Sequence, residues 1–182
     1  AEDLAWIARL DYEGIPGALI GGSFYAGDSG QSSSTINGVI GAGVTLWDVH
    51  ARWQFSGWEL TGLYSSVAIA DADKINAANG LTGTKSIGER QFGGYGQLAY
   101  DILSYRSSRQ SLSPFVRYER YDTQARVPEG FSKDLSNSRI EWTYGLTYKP
   151  HANTVIKVDF QDLRNQAGTA VDQWNMAMGY LF

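Results

Sequence analysis

From Trp174 to Phe182 every second residue is apolar: Trp174, Met176, Met178, Tyr180 and Phe182. The positions between them, Gln173, Asn175, Ala177, Gly179 and Leu181, are mostly small or polar. Strict period-two alternation describes a strand with two unlike faces. A soluble sheet would bury the apolar face and has no reason to stop on it with an aromatic chain end. A transmembrane barrel strand turns that face to lipid, with aromatic residues at both interfaces. Trp174 at one end and Tyr180 with Phe182 at the other fit that arrangement.

The composition suits such strands along the whole chain. Its 182 residues include 21 Gly, 11 Tyr, 7 Phe and 6 Trp but only 4 Pro. Aromatic residues pack well on pleated faces, and glycine lets strands bend. No run of 18 apolar residues occurs, which excludes a transmembrane helix by length but not a barrel. The absence of cysteine fits passage through an oxidising periplasm and fits many cytosolic proteins equally. A net charge of -4 weighs against nucleic acid as a partner. The opening AEDLAW has neither a basic nor an apolar leader region, so it reads as a mature N-terminus or an internal cut.

About nine alternating segments follow one another, at roughly 4–12, 18–27, 43–55, 58–70, 90–102, 111–122, 138–149, 154–163 and 171–182. In the third, Thr45, Trp47, Val49, Ala51, Trp53 and Phe55 share one face, opposed by Asp48, His50, Arg52 and Gln54. In the seventh, Ile140, Trp142, Tyr144, Leu146 and Tyr148 oppose Arg139, Glu141, Thr143, Thr147 and Lys149. The second, ALIGGSFYAG, is too rich in glycine to assign its faces. Pro16-Gly17 and Ser56-Gly57 mark tight turns. KPHANT reads as a short turn, and the polar stretch GDSGQSSSTING as a solvent-facing loop.

Connections alternate short and long, ending on one of medium length. Membrane barrels have this rhythm, whereas β-sandwiches have Greek-key crossovers. About ten residues at roughly 3.3 Å, tilted near 45°, rise about 23 Å, close to the apolar band of such a barrel. A complete single-chain barrel has an even number of strands. Nine therefore predicts either a miscount by one or the C-terminal part of a larger barrel, and the second is preferred. The expected fold is all-β, an antiparallel up-and-down transmembrane β-barrel, with residues 1–182 forming one barrel domain or its C-terminal portion.

The terminal strand resembles that of bacterial outer-membrane barrels, whose final aromatic residue is read by the barrel-assembly machinery. The stretches GWELTGLYSS, ERQFGGYGQLAYDIL, LSPFVRYERYDTQARVP, WTYGLTYKPHANTVIKVDFQD and VDQWNMAMGYLF resemble the C-terminal half of porins in the phosphate-selective porin O and P family. IARLDYEGIPGALIGGSFYAGD is similar to an upstream hairpin of those proteins. The resemblance implies a sixteen-stranded homotrimeric channel in the bacterial outer membrane, of which this chain supplies about strands eight to sixteen. A lysine cluster at the constriction accompanies anion selectivity in that family, and no such cluster can be placed here.

If the aromatic faces meet lipid, the girdle candidates are Trp47, Trp53, Trp142, Tyr148, Trp174, Tyr180 and Phe182. The other faces then line a pore with Arg9, Asp11, Asp48, His50, Arg52, Glu59, Arg117, Glu119, Arg139, Glu141, Lys157 and Asp159. Opposite charges across a lumen orient solutes, while a single-sign ring selects ions. The balanced set points to a general path for small hydrophilic solutes, anions such as phosphate among them. Arg117 with Glu119 and Lys157 with Asp159 read first as paired wall charges.

Catalytic chemistry is sparse. Only His50 and His151 are available, with no cysteine, so no zinc spacing exists. His151 falls in a turn. His50 could face Ser65, but no nucleophile elbow accompanies that pair. GVIGAG and GGYGQ precede no helical pattern, so they are not phosphate loops. No enzyme activity, cofactor or metal is expected. The alternatives are a soluble β-sandwich or lectin-like module using its aromatics for sugars, and a small filled barrel without a pore.

Overall fold

In the computed structural model, residues 4–30, 34–35, 38–106 and 109–182 are described. Nine long strands form one antiparallel sheet in chain order. They are β1 (Ala5–Tyr12), β2 (Ala18–Asp28), β5 (Gly43–Phe55), β6 (Trp58–Ile69), β7 (Arg90–Tyr100), β8 (Ser111–Arg126), β9 (Ser138–His151), β10 (Thr154–Asn165) and β11 (Gln173–Tyr180). Two-residue strands β3 (Ser34–Thr35) and β4 (Gly38–Val39) pair with each other in the β2–β5 loop. Helix α1 (Ala72–Ala78) lies between β6 and β7. The sheet is up-and-down throughout and is not closed: β1 and β11 each have one strand neighbour. A sandwich needs two facing sheets, and all nine long strands belong to one.

Turn chemistry sets the register. Ser56 and Gly57 both adopt positive φ, 46° and 84°, the two-residue turn whose twist matches a hairpin. It pairs Phe55 with Trp58, and every later pair of β5 and β6 follows from that one. His50 therefore stands opposite Leu63, and Ser65 opposite Asp48. The expected His50–Ser65 pairing is not formed. The KPHANT stretch is also mostly strand: β9 runs on through Pro150 to His151, leaving Ala152 and Asn153 as the turn.

Following one rung across the sheet reveals a stagger. Tyr12 pairs Ile20, and the rung continues through Ala51, Gly62, Gly96, Tyr118 and Trp142 to Asp162. It starts at the short-turn end of β1 and finishes near the long-loop end of β10. Such cumulative displacement is the shear of sheets that curl toward closure. Gly62 and Gly96 face each other on this rung, and a Cβ at Gly96 would meet nothing within 4 Å.

The sheet has its faces inverted relative to a soluble core. Trp6 is 79% exposed, Trp174 74% and Met176 77%, while Thr143 and Asp159 are each 6% exposed. Buried apolar residues among those described are few: Ile40, Ala42, Ala72 and Phe115. The two faces are therefore covered unequally, the polar side more than the apolar one. Aromatic side chains tie neighbouring strands together on the outer face. Trp58 pairs with Tyr100, Tyr118 with Trp142 and Phe160 with Trp174, their ring centroids 4.6, 4.9 and 5.1 Å apart. Each such contact adds about 0.5–1.5 kcal/mol beyond area burial.

The long loops gather at one end. Ala72 and Asn76 of α1 are buried, and Ile75 and Ile87 approach Val44 and Ile69 on the sheltered face. The Asn76 amide accepts from Ile87 N–H at 2.8 Å and donates to Ile87 C=O at 3.3 Å. The polar loop between β2 and β5 is not wholly solvent-facing: Gly30 is buried and donates to Gly41 C=O at 3.0 Å. Residues 31–33 and 36–37 of that loop lie outside those described.

Candidate functional site

All twelve charged residues expected along a pore share one face of the sheet, spread over β1, β5, β6, β8, β9 and β10. The aromatic set lies on the opposite face: Trp47 and Trp53 on β5, Trp142 and Tyr148 on β9, and Trp174 and Tyr180 on β11. Phe182, just past β11, stacks edge-on against Tyr180 at 5.3 Å. Alternation places both sets without exception, because one register step moves a side chain to the other face.

Three clusters divide the polar face. At one edge, Arg9 Nε donates to Asp11 at 2.8 Å, and Asp11 Oδ1 lies 3.0 Å from His50 Nε2. His50 Nδ1 lies 2.7 Å from Asp48 Oδ1, and Ser23 Oγ donates to the other Asp48 oxygen. With a carboxylate at each ring nitrogen, the doubly protonated imidazolium can donate to both. Strand β2 runs between these partners, and a Cβ at Gly21 would sit 2.1 Å from Asp11 Oδ1 and 2.7 Å from His50 Nε2. The glycine that obscured the faces of β2 makes room for this bridge. The Ser23 hydroxyl here serves Asp48, and the cluster links β1, β2 and β5 through hydrogen bonds and ion pairs.

In the middle, Arg52 reaches Glu59 at 3.1 Å, and Arg117 reaches Glu119 at 2.8 Å. The Arg117 guanidinium also lies 3.8 Å over the Tyr95 ring. Glu141 accepts from the Tyr121 hydroxyl at 2.8 Å, and Arg139 Nη1 lies 3.5 Å from that hydroxyl. Toward the other edge, Lys157 approaches Asp159 at 3.3 Å, and Asn175 donates to Asp159 at 3.0 Å. Phe115 lies under the Lys157 ammonium, 4.8 Å from its centroid, in space left open by Gly145. Arg117–Glu119 and Lys157–Asp159 are ion pairs on the polar face.

The register sorts these charges by rung. Arg52, Thr61, Gln97, Arg117, Thr143, Gln161 and Gln173 share one rung, with cations and neutral hydrogen-bonding groups but no acid. The next rung toward the long loops holds His50, Glu119 and Glu141, and the next toward the short turns holds Glu59 and Asp159. Among the described residues, no group of three His, Asp or Glu side chains is placed to hold a metal ion.

Sequence reasoning gave no role to Gln124, which is 4% exposed. Its amide donates to Thr84 C=O at 3.0 Å and to Ser86 C=O, and accepts from Asp134 N–H at 2.6 Å. It thereby joins two long loops at the mouth of the polar face. Asp134 in turn accepts from Ser136 at the start of a short 3-10 turn, and this hydrogen bond holds its carboxyl below the usual range. Asp71 is lowered chiefly by its hydrogen bond from Lys74, with further donation from Gly41 and Ala42 N–H. Loop-to-loop contacts of this kind have no periodicity and leave no sequence signal.

No family model matches the chain. An uncharacterized protein of Aquifex aeolicus (strain VF5) is 30% identical over 166 residues, a match that covers 88% of this chain and 37% of that protein. The chain thus spans little more than a third of the length of that relative.

Proposed function

We propose that the chain forms part of a porin in the bacterial outer membrane, a passive channel for small hydrophilic solutes. The observation that carries this reading is the inverted sheet, with indoles and thioethers open and carboxylates sheltered. In water such a face would aggregate; in a bilayer it is the solvated one, and the sheltered side is the aqueous one. Strand lengths of 11 to 16 residues from β2 to β10, the two-residue pair apart, suffice to span an apolar band at barrel tilt. The rung stagger and the alternation of short and long connections support the same reading.

An open edge in lipid leaves backbone groups unpaired, at several kcal/mol each. Further strands would complete the wall between β1 and β11, and the Aquifex relative has length to spare for them. Sixteen strands, three copies and engagement of the assembly machinery by β11 rest on resemblance to the phosphate-selective porin O and P family. The wall itself carries cations and acids on neighbouring rungs, which favours orientation of polar solutes over rejection of one sign. Conductance of the intact protein in a planar bilayer under a KCl gradient tests this. Stable steps with a small reversal potential are expected; a folded, inserted protein without steps would overturn the channel.

A further inference from the structure

The outer face is apolar except toward the long loops. Register places four arginines on it: Arg90 at the start of β7, Arg120 and Arg126 in the later half of β8, and Arg164 near the end of β10. The strand acids on the same face, Asp28, Asp122 and Asp162, also lie toward the long-loop end. Toward the short turns the same face carries Trp53, Trp58, Tyr100, Tyr148 and Tyr180 and no strand-borne charge. The two ends of one apolar band therefore differ in chemistry.

Arg120 and Arg164 share a rung, separated by Ile140 on the strand between them. Arg164 is held at the surface by a two-point contact with Asp162, at 2.9 and 2.8 Å, which leaves part of its donor fork open. Arg120 is exposed and has no carboxylate within 4.0 Å among the described residues; its guanidinium lies 5.8 Å from the Phe92 ring centroid. The neighbouring Asp122 carboxylate accepts from Gln124 N–H at 2.8 Å. One rung further from the loops lie Tyr118 and Trp142, the start of the aromatic band.

We propose that this rim binds the phosphate of anionic lipid headgroups, with Arg120 and Arg164 as its principal donors and the aromatic band below them against the acyl chains. The inference rests on the membrane reading above. Arginine offers a planar fork that matches phosphate oxygens, which lysine does not. Basic residues at a bilayer surface attract anionic headgroups. Of the two donors, Arg164 keeps part of its fork free beside Asp162, and Arg120 has no carboxylate partner among the described residues.

The test uses the intact protein folded in neutral detergent micelles, with its melting temperature read by circular dichroism. Phosphatidic acid or phosphatidylcholine is added at equal mole fraction, and inorganic phosphate is added alone in a third arm. A rise with phosphatidic acid that phosphatidylcholine and free phosphate do not reproduce is expected. Arg120→Gln with Arg164→Gln should lose most of that rise, and Arg120→Lys with Arg164→Lys should recover only part. Arg52→Gln with Arg117→Gln, on the other face, should keep it. An equal rise in the Gln pair, no rise in the unaltered protein, or an equal response to free phosphate would overturn the proposal. Solubility without detergent would instead overturn the membrane reading, so the two failures are told apart.

Discussion

Glu119 and Glu141 stand directly opposite each other across β8 and β9, like charges in register, and each is held by a different donor. Arg117 pairs with Glu119 and the Tyr121 hydroxyl donates to Glu141. Directly opposed like charges destabilise a sheet, so these donors hold the pair together. Arg117→Ala should destabilise the folded protein by about 1–2 kcal/mol through lost ion-pair and ring contacts. Adding Glu119→Ala should restore part of the loss in a double-mutant cycle of detergent unfolding. Additive losses would mean that Arg117 acts elsewhere.

The face assignment is testable by two substitutions close in sequence. Trp142→Arg puts a charge in the outer aromatic band, where it would cost about 2–4 kcal/mol at the midplane. Arg139→Ala removes an exposed charge from the inner face. Folded yield, read as heat-modifiable mobility on a gel, should fall for the first and hold for the second. Equal yields would contradict the assignment.

Gly145 is required by space, its φ being ordinary. A Cβ there would come within 2.4 Å of the Phe115 ring and 2.8 Å of the Asp159 Cβ. Gly145→Ala should therefore displace Phe115 from beneath Lys157 and destabilise by about 1–3 kcal/mol, as overpacking does. Gly96→Ala, with nothing nearby to strike, is the matched control and should leave the unfolding midpoint almost unchanged.

Asp101, just past β7, gives a pH dependence with a definite sign. Burial pushes its carboxyl up, but N–H donation from Leu103 and Leu112, at 3.0 and 3.1 Å, outweighs that and holds it below the ordinary 3.8. A depressed folded value contributes stability above the unfolded value, lost as pH falls through the folded one. The unaltered protein should melt higher than Asp101→Ala at neutral pH, and the gap should close as pH drops below 3.8. A gap that persists in acid would assign the effect to packing.

The faces of the strands were legible because period two needs no knowledge of neighbours: Trp47 against Asp48 and Trp142 against Glu141 follow from alternation alone. The register of β5 and β6 was misjudged: His50 was expected to face Ser65, whereas the two-residue turn at Ser56-Gly57 sets His50 opposite Leu63 and Ser65 opposite Asp48. What was not legible depends on space. The role of Gly21 appears only once Asp11 and His50 reach across β2. Helix α1 is seven residues long and is tied down through Asn76 and Asp71. A helix that short is marginal by itself, so tertiary contacts decide it and its own sequence does not.

Where Gly62 meets Gly96, the wall is bare backbone for the width of two strands. Side chains stiffen a sheet by crowding one another when it flexes, and that rung has none in its two central strands. Bending stress applied across the wall would concentrate there, making the Gly62–Gly96 rung a crease about which the two halves can change their curvature while the hydrogen-bond ladder stays intact.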